Sequence, residues 1–155
     1  MGIAINTAGV KLAYGVEATK GTKPTSFTLI PDIKAVPEMN PEPSALETTD
    51  LSQTEYKTYI QGLKDLGGAL GFTANYTEEL EEVWAELVEA FATAKAEGKS
   101  TWFEVIHPAL TKAVFFTGEP SAQGLPAMEV DSVLETTCYI TPTSAPKWDT
   151  KVEVK

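Results

Sequence analysis

One stretch of this chain has a strong helical period, and it constrains everything around it. Between Thr77 and Glu97, the residues Leu80, Val83, Trp84, Leu87 and Phe91 recur at spacings of three and four, so all five fall on one face of a helix. Asn75 or Thr77 can cap its start. Glu78, Glu79, Glu81 and Glu82 crowd the first turns, where free backbone amides favour carboxylates, and Gly98 supplies a stop. The spacing predicts one amphipathic helix over 77–97, with Leu80, Trp84, Leu87 and Phe91 as core anchors and Trp84 fixing it to a sheet.

The remainder reads as short strands punctuated by glycine and proline. Leu70, Phe72, Ala74 and Tyr76 alternate with smaller or polar residues and run directly into the helix. Thr101 to His107 and Lys112 to Thr117 are rich in aromatic and β-branched residues, with Pro108-Ala109-Leu110 between them, a hairpin pattern. From Met128 to Ile140, Val130, Leu134, Cys138 and Ile140 fall on one side and Glu129, Asp131, Glu135 and Thr137 on the other. Lys11 to Val16 and Phe27 to Val36 also read as strands, interrupted by Gly21, Pro24 and Pro31. The fold class is therefore mainly β, an antiparallel sandwich or barrel-like sheet with one flanking helix. Length favours one domain over 1–155, with arms at 1–10 and 142–155.

Two segments fit no regular element. Asp50 to Gly68 is polar with scattered Tyr56, Tyr59, Ile60 and Leu63, and is long for a connection inside a compact domain. The tail from Pro142 carries Pro146 and Trp148 and ends in alternating Val152 and Val154, the pattern of an extended arm.

Composition removes several function classes. With 12 Lys and Arg against 22 Asp and Glu, a net charge of -10 is unsuited to wrapping nucleic acid, which needs clustered cations. No apolar run is long enough to span a membrane, and the start lacks the pattern of a signal peptide. The single cysteine, Cys138, cannot staple the fold, and the single histidine, His107, cannot build a multi-histidine metal site.

Catalytic constellations are equally thin. Cys138 shares its apolar spacing with Leu134 and Ile140, which suits a buried small hydrophobe better than a nucleophile served by His107. Glu129, Asp131 and Glu135 share a face, but nothing in the sequence supplies an apolar pocket to raise one pKa. The acidic residues lack calcium-loop spacing, and the glycines of Gln61 to Gly68 match no phosphate loop. No catalytic, cofactor or metal residue is therefore assigned, and the chain is read as a non-enzyme without cofactors.

Several pieces, in order, resemble the tail tube (major tail) proteins of long-tailed bacteriophages. They are GVKLAYGVEATKGTKPTSFTLIPDI at Gly9 to Ile33, ETTDL at Glu47 to Leu51, YIQGLKDLGG at Tyr59 to Gly68, a strand ending in Asn75-Tyr76, TWFEV at Thr101 to Val105 and FTGEP at Phe116 to Pro120. The resemblance spans most of the chain through short motifs. It implies a subunit of stacked hexameric rings forming a hollow tube for DNA ejection, located in the virion and assembled in the host bacterial cytoplasm. The implied partners are other copies of itself and the tail terminator, tape measure and distal tail proteins, with DNA passing through the lumen without specific binding and no membrane contact. It also implies that the 50–68 loop reaches the neighbouring ring. Asp50, Leu51, Tyr56, Tyr59, Ile60, Leu63 and Trp148 are the candidate contacts between subunits, and Glu129, Asp131 and Glu135 are candidates to line the lumen.

Two rival readings stay open on sequence grounds. One is the inner tube protein of a contractile tail or injection machine, built on the same fold. The other is a monomeric Ig-like or carbohydrate-binding module, for which Trp102, Phe103, Phe115 and Phe116 would supply a stacking platform. Adjacent strand residues point to opposite faces, so at most half of those four can share one surface.

Overall fold

The computed structural model describes residues 2–155, which form ten strands and one helix. The chain divides into two compact units, Met1–Pro37 with Ala69–Lys155, and Glu38–Gly68.

The larger unit is an antiparallel, nearly closed, barrel-like sheet with one helix, the mainly β architecture expected. Its strands are β1 (Lys11–Val16), β2 (Thr28–Ile30), β3 (Ile33–Ala35), β6 (Leu70–Asn75), β7 (Thr101–Ile106), β8 (Lys112–Pro120), β9 (Glu135–Pro142) and β10 (Lys147–Thr150); β4 and β5 belong to the smaller unit. The sheet order is β2-β1-β7-β8-β9-β6-β3, with β10 pairing to β8. The two end strands, β2 and β3, are joined only by Pro31 and Asp32, so the end edges lie one tight turn apart in the chain. Asp32 adopts a φ of 62°, a left-handed conformation that aspartate tolerates better than most residues. This turn breaks the extended stretch over 27–36 at Pro31, one of the interruptions read from the sequence.

Side-chain alternation explains the inner face. Leu70, Phe72 and Ala74 of β6 are buried, and so are Thr136, Cys138 and Ile140 of β9, with Phe72 opposite Cys138 and Leu70 opposite Ile140. Phe103 of β7 stacks on Phe116 of β8, ring centroids 5.4 Å apart. Gly118 of β8 is required here, because a Cβ would come within 2.7 Å of the Ile140 side chain.

The helix α1 (Glu78–Ala96) starts as the sequence requires: the Thr77 hydroxyl accepts from the Leu80 amide at 3.1 Å and donates to the Asp32 carboxylate. It ends at Gly98, whose φ of 74° suits a helix terminus. Leu80, Trp84 and Leu87 are buried, and α1 packs against β1, β2 and β8. Burying side chains of this size contributes about 1.5–3 kcal/mol each. Phe91 is only half-buried, its ring 5.6 Å from the Lys95 ammonium, and Ala94 completes the buried face instead.

The strand expected over 128–140 is shortened. Val130 is 97% exposed and Asp131 has a φ of 61°, so a turn interrupts the extended backbone and β9 begins only at Glu135. Within β9 the predicted phase holds, with Thr136 occupying the buried position between Leu134 and Cys138.

The C-terminal tail is extended, but its backbone pairs with the larger unit itself. β10 runs antiparallel to the first half of β8, with Trp148 opposite Val114. Further on, the Phe27 amide donates to Glu153, the Lys155 amide to Phe27 and the Leu29 amide to Lys155, a short parallel pairing along β2. Val152 and Val154 pack on the apolar cluster of Ala13, Phe27, Ala113 and Phe115. Alternating valines in a polar tail are thus explained by a cluster that needs a cover.

The smaller unit is a two-stranded antiparallel hairpin of β4 (Pro43–Glu47) and β5 (Tyr59–Lys64), in register at Leu46↔Ile60 and Glu47↔Tyr59. The segment expected as a loop over 50–68 therefore contains a strand in its second half. Its pairing partner, Pro43–Glu47, gives no sequence warning, since a proline opens it and its apolar residues do not alternate.

Candidate functional site

The candidate assembly residues collect on the hairpin, and local polar chemistry builds its tip. Asp50 organises the turn: its carboxylate accepts from the Ser52 amide at 2.9 Å and from the Ser52 hydroxyl, its own amide donates to the Gln53 side chain at 3.0 Å, and its carbonyl accepts from the Gln53 amide. The Ser52 hydroxyl and amide hold the Asp50 carboxyl below its ordinary pKa. Thr48 and Thr58 close the ladder, amide to carbonyl at 2.8 Å and hydroxyl to hydroxyl at 3.0 Å. The ETTDL stretch is therefore turn chemistry that fixes where the neighbouring apolar side chains stand.

Those side chains are open to solvent. Leu51 is fully exposed, Leu63 is 89% and Tyr56 81% exposed, and Tyr59 and Ile60 are each more than half exposed. Leu46, which the sequence reading passed over, is exposed as well and lies directly opposite Ile60, so both stand on one hairpin face. Six large apolar groups in a 31-residue unit (38–68) are far more than isolated surface hydrophobes require. Trp148, the remaining candidate contact, is exposed on β10 of the larger unit.

The structure separates the three acidic candidates. Glu129 and Asp131 are exposed in the irregular segment before β9, whereas Glu135 opens β9 and forms an ion pair with Lys34 of β3. They do not form one strand face. The same irregular segment exposes Leu125, Met128, Val130 and Val133.

The groups able to do chemistry are engaged in structural work. Both His107 nitrogens are occupied: Nδ1 accepts from the Ala109 amide at 3.1 Å, and Nε2 is 2.6 Å from the Asn6 carbonyl, which fixes the proton on Nε2. Cys138 is buried on β9, where burial raises its thiol pKa to about 11 despite the hydrogen bond from the Gln123 amide. Among the described residues, no three His, Cys, Asp or Glu side chains come together as a metal site, and no helix is long and apolar enough to cross a membrane. A groove of about 530 Å³ beside residues 121–127 is lined by Thr73, Gln123, Glu135, Thr136, Thr137 and Tyr139 among others. Trp102, Phe103, Phe115 and Phe116 do not form an exposed platform: the last three are buried, and Trp102 is partly so.

Two carboxylates are buried, and both hold backbone. Glu17 accepts from the Ser100 amide at 2.8 Å, the Gly21 amide at 3.2 Å and the Trp102 indole at 2.9 Å. Burial pushes its pKa up, but these donors together outweigh burial and hold it below the ordinary value. Glu104 of β7 accepts from the Val152 amide at 2.9 Å, while its second oxygen has no partner. Here burial dominates and the pKa is raised.

Comparison by sequence finds no matching protein-family model and no matching curated protein. Comparison by structure finds similarity along nearly the whole chain. A chain in the cryo-EM structure of the anti-feeding prophage baseplate, a 6-fold symmetrised particle, matches with a TM-score of 0.61 at 7% identity, covering 97% of this chain and 98% of that one. At that identity the likeness is one of fold.

Proposed function

We propose that this chain is a non-catalytic structural subunit of a phage-type tail, which closes into hexameric rings that stack as a hollow tube for DNA. The observation that carries this reading is the end-to-end likeness to a baseplate chain of a 6-fold symmetrised particle. The hairpin supports it independently. Leu46 and Ile60 on one face, Tyr59 on the other, and Leu51, Tyr56 and Leu63 elsewhere on the hairpin are exposed apolar groups that water penalises and neighbouring copies would cover. In this reading Trp148 adds a second contact between subunits. The acidic balance also fits, since a lumen bearing Glu129, Asp131 and Glu135 would repel phosphate and let DNA slide, whereas a basic lining would hold it by counterion release.

The inner tube of a contractile tail or injection machine is supported no less by a likeness to a baseplate chain. The two readings differ in whether a sheath surrounds the tube, which electron microscopy of intact particles resolves directly.

Negative-stain microscopy and light scattering of the purified chain, with rising concentration and with tail-tip proteins as initiators, test the common proposal. Six-fold rings or tubes support it. A monomer under every one of these conditions overturns it.

A further inference from the structure

Glu104 is an unusual side chain for its position. On β7 it stands between Trp102 and Ile106 on the same strand face, with Ala13 of β1 and Phe115 of β8 directly across. It is fully buried beside Ala13 and Phe115, two members of the apolar cluster on which Val152 and Val154 of the tail pack. Among the described residues its carboxylate has one hydrogen bond, from the Val152 amide of that tail, and its other oxygen is unpartnered. A buried carboxylate with half its acceptors unused is costly to keep ionised, and lifting the tail would return it to water.

The tail itself is lightly held. All four residues of β10 are exposed, and Val152 and Val154 are only partly buried. Beyond backbone pairing and the packing of Val152 and Val154, its anchors are the Val152–Glu104 bond and the ion pair of Asp149 with Lys23, at 2.8 Å. Lys23 also lies 4.2 Å from the centre of the Phe115 ring. The tail covers the edge of β2 at Phe27 and Leu29 and the edge of β8 at Lys112 to Phe115, so its departure would free strand-edge groups of both.

From this geometry we infer that residues 147–155 form a releasable strap whose hold on the sheet is set by the protonation of Glu104 and Asp149. The charged groups facing Glu104 are Lys23 from the loop after β1 and Lys151 from the strap, with Asp149 and Lys112 close by on β10 and β8.

The two carboxyls act in opposite directions. In the folded chain, with the strap over it, burial raises the pKa of Glu104 more than the Val152 amide and the Lys23 and Lys151 ammoniums lower it, so the covered carboxyl is most stable below the ordinary carboxylate range and less so as pH rises through the raised value. The Lys23 ammonium holds Asp149 below its ordinary pKa, so its contribution is present above the ordinary carboxylate range and is lost as pH falls through the lowered value. Between the two titrations Glu104 is neutral, Asp149 is charged and the strap is tightest. The inference concerns the single subunit and stands apart from the proposed tube.

Amide hydrogen exchange of the purified chain across pH 3 to 8, expressed as protection factors, reads the strap at Val152 and Lys155. The expected profile is a maximum at mildly acidic pH, falling on the alkaline side by at most about tenfold per pH unit, the limit for one linked proton. In Glu104→Gln the alkaline fall flattens while the acid fall remains, and in Asp149→Asn the reverse holds. Protection at β7 amides serves as the control for global stability. A wild-type strap whose protection follows β7 at every pH overturns the inference, as does an alkaline fall that persists unchanged in Glu104→Gln.

Discussion

The indole N–H of Trp84 donates to the carbonyl oxygen of Ser121 at 2.7 Å, tying the middle of the helix to the residue that follows β8. The ring is buried at 1% exposure, so one side chain provides both the helix's main apolar contact and a polar tether to the sheet. Trp84→Ala should lower unfolding free energy by about 3–5 kcal/mol in urea titrations, from lost burial and the cavity left behind. Trp84→Phe keeps most of the burial but leaves the Ser121 carbonyl without this donor, and should cost less than Trp84→Ala.

Glu17 joins three donors that lie far apart in sequence. Glu17→Ala should destabilise by at least about 1–3 kcal/mol, because the indole of Trp102 and the amides of Ser100 and Gly21 lose their acceptor. Its folded pKa is lowered, so its stabilisation is complete above the ordinary carboxylate range and disappears as pH falls through the lowered value. Urea midpoints measured from pH 6 down to pH 2 should therefore fall more steeply for the wild type than for Glu17→Gln.

Cys138 should resist thiol reagents in the native protein at pH 8. With its pKa raised to about 11 by burial, the thiolate fraction is small and access is blocked. Unfolding should accelerate labelling by at least about a hundredfold. Rapid native labelling would place this thiol at the surface.

On the hairpin, Leu51→Ser, Tyr56→Ser and Leu63→Ser should each change unfolding free energy by no more than about 0.5 kcal/mol, since these side chains are exposed in the single chain. Under the proposed function, the triple variant should need about tenfold or more higher concentration to form tubes, as judged by light scattering. Unchanged assembly would remove the hairpin from the subunit contact.

The charge test concerns Glu129, Asp131 and Glu135. Under the proposed function, lysine at all three positions should leave tubes intact but slow DNA ejection, and the effect should weaken in high salt. An unchanged ejection rate places these groups outside the lumen. Glu135→Lys also faces Lys34 with a like charge, so the double variant at Glu129 and Asp131 serves as its control.

What the sequence made legible follows from which interactions are local. The helix was readable because its period, cap and first-turn acids lie within one stretch, and the Thr77 cap and the Leu80, Trp84 and Leu87 face appear where the spacing put them. β6 was readable for the same reason, through strict alternation. The hairpin was not, because β4 opens on Pro43 and only its pairing with β5 makes it a strand. The break at Asp131 was hidden by an alternation that runs on through a turn, and the tail's docking depends on partners more than 30 residues away, such as Val114 for Trp148. Leu51, Tyr56 and Leu63 are exposed in the single chain, and their apolar scatter in a polar segment carries no core period.

β7 has neither of its faces free: Phe103 belongs to the inner aromatic stack, Glu104 accepts from the Val152 amide under the tail, and Trp102 is bonded to Glu17. For anyone recoding this chain, that strand is the part with the least room. Substitutions there disturb one layer or the other, whereas the exposed positions Leu51, Tyr56 and Leu63 of the hairpin leave more room. Libraries aimed at new assembly behaviour should spend their variation on the hairpin and leave positions 101–106 as they are.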